Sequence, residues 1–311
     1  MKLMKPKHFL SVTDLSAKEI WQVFQLAKNL KNEWKSYGKH KKQWLENKTL
    51  VMIFEKPSLR TRLSFEIGMT QLGGHAVYLG PSDIQMGVRE SVSDVAKVTS
   101  SMGDLIMART FKHETVTELA QYSTVPVING LSDLEHPCQI LADLLTMIEF
   151  KKSVKDLKVA FVGDGENNVA HSLALGVSLL GGSFSIATPR GFGMKKEISA
   201  KAASSAETLH QQFLETHDPE EAVQDADVVY TDTWVSMGDE AEKEKRLKIF
   251  KPYQVSEKLM KLAKKDALFM HDLPAYRGNE VATEVIDGPQ SVVFPQAENR
   301  LHAQKALIFY L

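Results

Sequence analysis

The sequence holds a single cysteine, Cys138, among 311 residues. One thiol excludes an intrachain disulfide framework and a cysteine-ligated metal cluster, and it fits a reducing compartment. Excess charge is missing too, since 38 Lys and Arg stand against 39 Asp and Glu for a formal net charge of -1. There is no basic field to gather nucleic acid or an anionic membrane surface, so a small-molecule partner is expected instead. No run of about 18 apolar residues is present to span a bilayer. The basic stretch from Met1 to Lys7 is not followed by the apolar core of a secretory signal, and a cytoplasmic protein is the expectation. Internal repeats and low-complexity tracts are also absent from the sequence.

What is present first is a strand, a loop and a helix. Thr49 to Phe54 is an apolar β-type run that gives way to Pro57, and a helical pattern starts at Ser58 with Leu63, Ile67 and Leu72 on one face. The helix opens with a hydroxyl, two arginines and a threonine: Ser58, Arg60, Thr61 and Arg62. First-turn N–H groups, the positive end of the helix dipole and guanidinium charge then converge on one spot, which suits a dianionic phosphate. A lone Ser-x-Arg is also what a capped surface helix shows.

Ser16 and Glu19 have the spacing of a capping box, and Ile20, Val23, Phe24 and Ala27 continue a first helix to about Trp34. Lys35 to Lys48 reads as a solvated connection. Further strands are expected at His75–Leu79, Leu105–Ala108 (ending at Arg109), Val125–Asn129, Lys158–Val162, Phe184–Ala187, Val228–Thr231 and Leu268–Met270. Helical spacing covers Leu134–Phe150, and Gln296–Leu311 is amphipathic with Ala297, Leu301, Ala306 and Leu307 available for burial. The alternation predicts an α/β protein of two doubly wound domains, each with a central parallel sheet, joined by interdomain helices. Residues 1–150 with the terminal helix 296–311 form the first domain and residues 151–295 the second. Ligands of such sheets sit at the carboxyl ends of the strands.

Several chemistry-bearing groups fall at those ends. Arg109 suits either a salt bridge or an anion. His136, just before a helix, is either a cap or a donor to a carbonyl oxygen; Gln139, one turn on, can accept from a carboxamide. Gly163-Asp164-Gly165-Glu166-Asn167-Asn168 lacks the third glycine of a dinucleotide fingerprint, and its asparagines suit the polar groups of an amino acid. Asp232 offers a carboxylate to an ammonium, Ser236 a hydroxyl, and Gly238 a close backbone approach. His271-Asp272-Leu273-Pro274 and Glu298-Asn299-Arg300 complete the set.

Ser58-Leu59-Arg60-Thr61-Arg62 after Phe54-Glu55-Lys56-Pro57 resembles the phosphate-binding signature of the aspartate/ornithine carbamoyltransferases, with Leu59 where the family has threonine. The likeness runs from about residue 8 to the C-terminus, and the Asp232-x-x-x-Ser236-Met237-Gly238 loop looks like the ornithine branch. It implies carbamoyl transfer from carbamoyl phosphate to the δ-amine of L-ornithine, giving L-citrulline in arginine metabolism without metal or cofactor. It implies phosphate contacts at Ser58, Leu59, Arg60 and Thr61, and carbamoyl contacts at Arg109, His136, Gln139, Leu273 and Arg300, with Pro137, Cys138 and Asp272 beside them. Acceptor contacts fall on Asn168, Asp232, Ser236 and Met237. Arg60, Arg109, His136, Asp272 and Arg300 are the implied catalytic groups. The resemblance also implies a homotrimer in which Gln85 lies on a loop lent to the neighbouring subunit's site. Asp272 stands where the ornithine branch has cysteine. Two alternatives go with that departure: another amine acceptor, such as putrescine or N-acylated ornithine, and a non-catalytic ligand-binding paralogue.

Overall fold

The computed structural model describes residues 7–235 and 242–311. Two compact units are formed, one by the chain up to Ala142 with Glu298–Leu311, the other by Asp143–Ala297. The chain changes unit within two helices, Pro137–Lys151 and Val293–Tyr310.

In the first unit, β1 (Thr49–Phe54), β2 (His75–Leu79), β3 (Leu105–Arg109) and β4 (Val127–Leu131) form a parallel sheet in the order β2-β1-β3-β4. β1 and β3 are buried on both faces, which is why their sequences are unbroken apolar runs rather than alternating ones. β4 starts two residues later than the sequence predicts, because Val125 and Pro126 precede the ladder; the Pro126 carbonyl still accepts from Ile106 N at 2.9 Å. Helix Ala17–Tyr37 carries the expected Ser16–Glu19 capping box and ends at Gly38, whose φ of 65° is costly for other residues. Within the following connection His40 is buried, bonded through Nδ1 to Glu33 at 2.7 Å and through Nε2 to Lys305 at 3.1 Å.

Helix Leu59–Gln71 begins at Ser58, whose hydroxyl accepts from Thr61 N. Its packed face differs from the expected one: Thr61, Ser64, Phe65, Gly68 and Met69 are buried, while Leu63 and Ile67 remain 46% and 40% exposed. The rotation is set by tertiary partners. Thr61 and Ser64 turn inward to make bonds, and Gly68 lies against the terminal helix, where an added Cβ would stand 3.2 Å from Lys305 Cγ. That terminal helix, Val293–Tyr310, buries Ala306 and Leu307 as expected, but also Asn299, Arg300, Gln304 and Lys305.

In the second unit, β5 (Lys158–Val162), β6 (Ser183–Ala187), β7 (Phe213–Thr216), β8 (Val228–Tyr230) and β9 (Leu268–Met270) form a parallel sheet ordered β7-β6-β5-β8-β9. Strand order reverses between β1 and β3 in one sheet and between β5 and β8 in the other. Each reversal opens a crevice at the strands' carboxyl ends.

Candidate active site

The first crevice is built from the ends of β1 and β3. Glu55 N donates to Arg109 O at 2.9 Å and Glu55 Oε2 accepts from Phe111 N at 2.6 Å, which locks the two loops together. Ser58 caps the helix and gives its hydroxyl proton to Thr61 Oγ1 at 3.0 Å. Arg109 Nη1 and Arg300 Nη2 each reach the same Thr61 oxygen at 3.4 Å. Arg300 Nη1 donates to Gln139 Oε1 at 2.5 Å. With its amide oriented to pair donors with acceptors, Gln304 accepts from Nε and Nη2 of Arg300 at 2.8 Å. Gln139 is thereby held beside Arg300 with its side-chain oxygen turned toward the guanidinium.

His136 is buried beside this cluster, and burial, then the charges of Arg300, Arg109, Arg60 and Lys56, hold its pKa well below 6.5. It is a neutral imidazole, able to donate a hydrogen bond to an oxygen that gains negative charge. Cys138 is packed away from such chemistry. Burial pushes its thiol up to about 12, and Sγ donates to Asn129 O at 3.3 Å, which leaves its backbone for any ligand contact. Of the two arginines expected at the helix start, Arg60 bears on His136, whereas Arg62 is exposed, pairs with Glu66 at 3.0 Å and lies 4.0 Å over the Tyr78 ring. Leu59 is 68% exposed, and Pro137 opens its helix at a position that needs no N–H. Gln85 is exposed, with a φ of 54° and a carbonyl that accepts from Val88 N and Arg89 N; its side chain makes no bond to the Thr61 cluster.

The second crevice lies between β5 and β8. Gly163 has a φ of 148°, and a Cβ on Gly165 would come within 2.6 Å of Phe192 O. The two glycines thus serve a tight turn and a close approach of backbone to backbone. Asn167 caps helix Asn168–Leu179 through Val169 N at 2.7 Å and donates to Asp232 Oδ2 at 2.7 Å. Asp232 Oδ1 accepts from Thr233 N at 2.7 Å, and burial, then the nearby charge of Asp272, drives its pKa well above the usual carboxylate range. The expected contacts Ser236 and Met237 lie outside the described residues. Asn168 opens the helix that Asn167 caps, beside the bond to Asp232.

After β9, His271 N donates to Gln296 Oε1 at 3.0 Å, and Gln296 Nε2 donates to Asp143 Oδ1 at 2.8 Å. Tyr230 Oη donates to Asp143 Oδ2 at 2.9 Å. This network holds the loop carrying Asp272 and Leu273, where Leu273 adopts a φ of 60° and donates its N–H to His271 Nδ1 at 2.9 Å. Arg246, buried, pairs with Asp164 and donates from Nε to Trp234 O at 2.6 Å, tying the loop after β5 to the loop after β8. Asn167, Arg246, Glu280, Gln296 and Gln304 were not singled out from the sequence. Only the double asparagine hinted at the first; Gln296 and Arg246 have partners distant in sequence, while Glu280 and Gln304 bond groups within nine residues that no motif flags.

Ligand atoms of Asp232, His271 and Asp272 lie within 4.8 Å of one another, a spacing that admits a metal ion. The chemistry of the set does not favour one. His271 Nδ1 already accepts the Leu273 N–H and Nε2 faces Glu280 at 3.3 Å, so the carboxylates remain, a pair suited to an ammonium group.

Comparison with known proteins finds two family models in succession along the chain. The family model described as "Aspartate/ornithine carbamoyltransferase, carbamoyl-P binding domain" matches residues 7–149, and the one described as "Aspartate/ornithine carbamoyltransferase, Asp/Orn binding domain" matches residues 155–311. A protein of Caldicellulosiruptor saccharolyticus named ornithine carbamoyltransferase is 53% identical over 305 residues, covering 98% of this chain and 98% of its own. The anabolic ornithine carbamoyltransferase of Pyrococcus furiosus is 52% identical over 302 residues, or 97% of this chain and 95% of its own. A solved structure of ornithine carbamoyltransferase from Pyrococcus furiosus matches with a TM-score of 0.94 at 51% identity, covering 99% of this chain and 97% of that one. The chain belongs to the aspartate/ornithine carbamoyltransferase family.

Proposed function

We infer that the protein transfers the carbamoyl group of carbamoyl phosphate to the δ-amine of L-ornithine, giving L-citrulline and phosphate. The observation that carries this reading is the convergence of Arg109, Arg300 and a capped helix start on Thr61, beside a neutral His136. The relatives named ornithine carbamoyltransferase support the choice of acceptor.

Ser58, the backbone of Leu59, Arg60 and Thr61 hold the phosphate. His136, Arg109 and Arg300 face the carbonyl oxygen, and Gln139 takes the carboxamide. Asp232 receives an ammonium of the acceptor, with Asn168, Ser236 and Met237 around it. The neutral δ-nitrogen forms a bond to the carbonyl carbon, the bond from that carbon to the phosphate oxygen breaks, and the nitrogen's proton passes to the leaving phosphate. Catalysis comes from positioning and from charge that is in place before the oxyanion forms, and no step requires a metal or organic cofactor.

The protein acts as a homotrimer with Gln85 reaching a neighbour's site. Leu59, Leu63 and Ile67, exposed at one-turn intervals on one helix, support a covering partner copy. A cytoplasmic location fits the single cysteine, and no described helix is long and apolar enough to cross a membrane.

Purified protein given carbamoyl phosphate is expected to form citrulline with ornithine and to turn over putrescine, aspartate and acetylornithine far more slowly. A preference for any of those three moves the protein to another branch, and no turnover with any amine favours a non-catalytic paralogue. Light scattering should return three times the chain mass, and Leu63→Glu should lower it.

A further inference from the structure

The second unit concentrates acid around one point. Asp232 follows β8, Asp272 follows β9, Glu280 is buried 3.3 Å from His271 Nε2, and Asp143 lies behind Tyr230. His271 sits among them, with Nδ1 3.5 Å from Asp272 Oδ1. Tyr230 registers the crowding: burial first, then Asp143, Asp272 and Asp232, hold its hydroxyl well above its ordinary range. Asn167 and Thr233 N face Asp232 as neutral donors. Carboxyl groups this close and this dry do not all ionise.

A proton relieves the excess either on the imidazole or on a carboxyl group. Burial works against charge on His271, yet its hydrogen bonds to Asp272 and Glu280 outweigh that and raise its pKa to about 9. Geometry decides against the imidazole. Nδ1 accepts the Leu273 N–H at 2.9 Å, so its lone pair is in use, and the single ring proton sits on Nε2 toward Glu280. Oxygens of Asp232 and Asp272 lie within 4.8 Å of each other, and two carboxyl groups that close in a dry setting hold one proton between them rather than two full charges.

We propose that Asp232 and Asp272 share one proton and work as a single carboxyl pair of one negative charge, which receives the acceptor's ammonium end. Because Asn167 and Thr233 N donate to Asp232 and favour its charged form, the proton rests on Asp272, at the position the ornithine branch fills with cysteine. This rests on the acceptor reading given above. It explains how a second carboxyl group stands beside an amine that must be uncharged to react. As pH rises through the pair's upper step, Asp272 ionises, its charge keeps the δ-nitrogen protonated, and turnover falls.

Infrared difference spectra of the full-length protein, with 13C-labelled aspartate, are expected to show a protonated-carboxyl C=O band at neutral pH. Asp272→Asn and Asp232→Asn should each remove it, because the remaining carboxyl then ionises freely; Asp272→Cys is a second variant of the same test. The band of the wild type should vanish on raising the pH with the same midpoint as an alkaline fall in citrulline formation, and Asp272→Asn should lack that fall. A wild type with no band at neutral pH overturns the pair, as does a band that survives both asparagine variants. A band that behaves as expected in a protein forming no citrulline at any pH overturns the acceptor reading instead and leaves the shared proton standing.

Discussion

The two units place their crevices by the same rule and fill them with opposite charge. In the first, Arg109 and Arg300 are buried and meet at Thr61. In the second, Asp232 is buried within 4.8 Å of Asp272, with Glu280 buried against His271. Two histidines report the difference. His136 is held well below 6.5 by burial and surrounding cations, whereas the carboxylates around His271 pull against burial, although its Nδ1 lone pair is taken by the Leu273 N–H. A parallel sheet with a strand-order reversal supplies a crevice and nothing about its sign; the side chains at the strand ends set that. A dianion and an ammonium-bearing acceptor are what the two crevices would then take.

The strongest way to break the contrast is to remove a cation from the first crevice. Arg60→Ala should lose a charge-assisted phosphate contact of about 2–4 kcal/mol, roughly thirty- to a thousandfold in kcat/KM for carbamoyl phosphate. Unchanged kinetics would make Arg60 a surface charge. Next comes the opposite crevice. Asp232→Asn keeps shape but disturbs the carboxylate that Asn167 and Thr233 orient, and should raise the ornithine KM by about tenfold or more while changing the carbamoyl phosphate KM much less. Equal losses for both substrates would erase the division of labour.

Two smaller effects sharpen the comparison through pH. His136 stays neutral in the folded chain and charges on unfolding below 6.5, so its contribution to stability is complete above that value and is lost as the pH falls. In urea titrations, His136→Gln should lose less stability than the wild type between about pH 6.5 and about pH 5. Lys305 follows the same rule in a higher pH window. Burial lowers its pKa from 10.5 to about 8, so the folded chain releases its proton before the unfolded chain does, and stability rises between those values. Thermal unfolding should show the wild type gaining on Lys305→Met from about pH 8 to about pH 10; a constant difference would mean that Lys305 keeps its charge. The smallest expected change is Leu59→Thr, which restores the family hydroxyl at an exposed position and should alter the carbamoyl phosphate KM by about threefold or less.

Legibility in the sequence followed locality. Strands β1, β5 and β9 stand at their expected bounds because buried strands announce themselves as apolar runs, and the half-exposed edge strand β2 does so because Ala76–Leu79 is apolar after a glycine pair. β7 went unread because Phe213–Thr216 is a half-exposed edge strand with no such run. Leu63 and Ile67 were apolar at helical spacing, yet the helix turned Thr61 and Gly68 inward, a choice made by a guanidinium and by a helix from the chain's far end. The capped helix start was readable because Ser58 to Thr61 is one contiguous stretch whose capping chemistry is local.

The sequence by itself determined the α/β rhythm, the capped helix start, the strand ends carrying Arg109, Asp232 and Asp272, and the family resemblance. Only the tertiary structure decided that Gln296 would join Asp143 to the His271 backbone, that Gln304 and Gln139 would hold Arg300, and that Asp272 would meet Asp232. The physical reason is that a buried polar group must find its partner wherever folding puts one, and that partner here is often more than a hundred residues away, as for Gln296 and Asp143. Periodicity and turn chemistry act over a few residues and carry no record of such pairs. Protonation lies further still from the sequence, because an aspartate's charge depends on which other carboxyl groups the fold brings beside it.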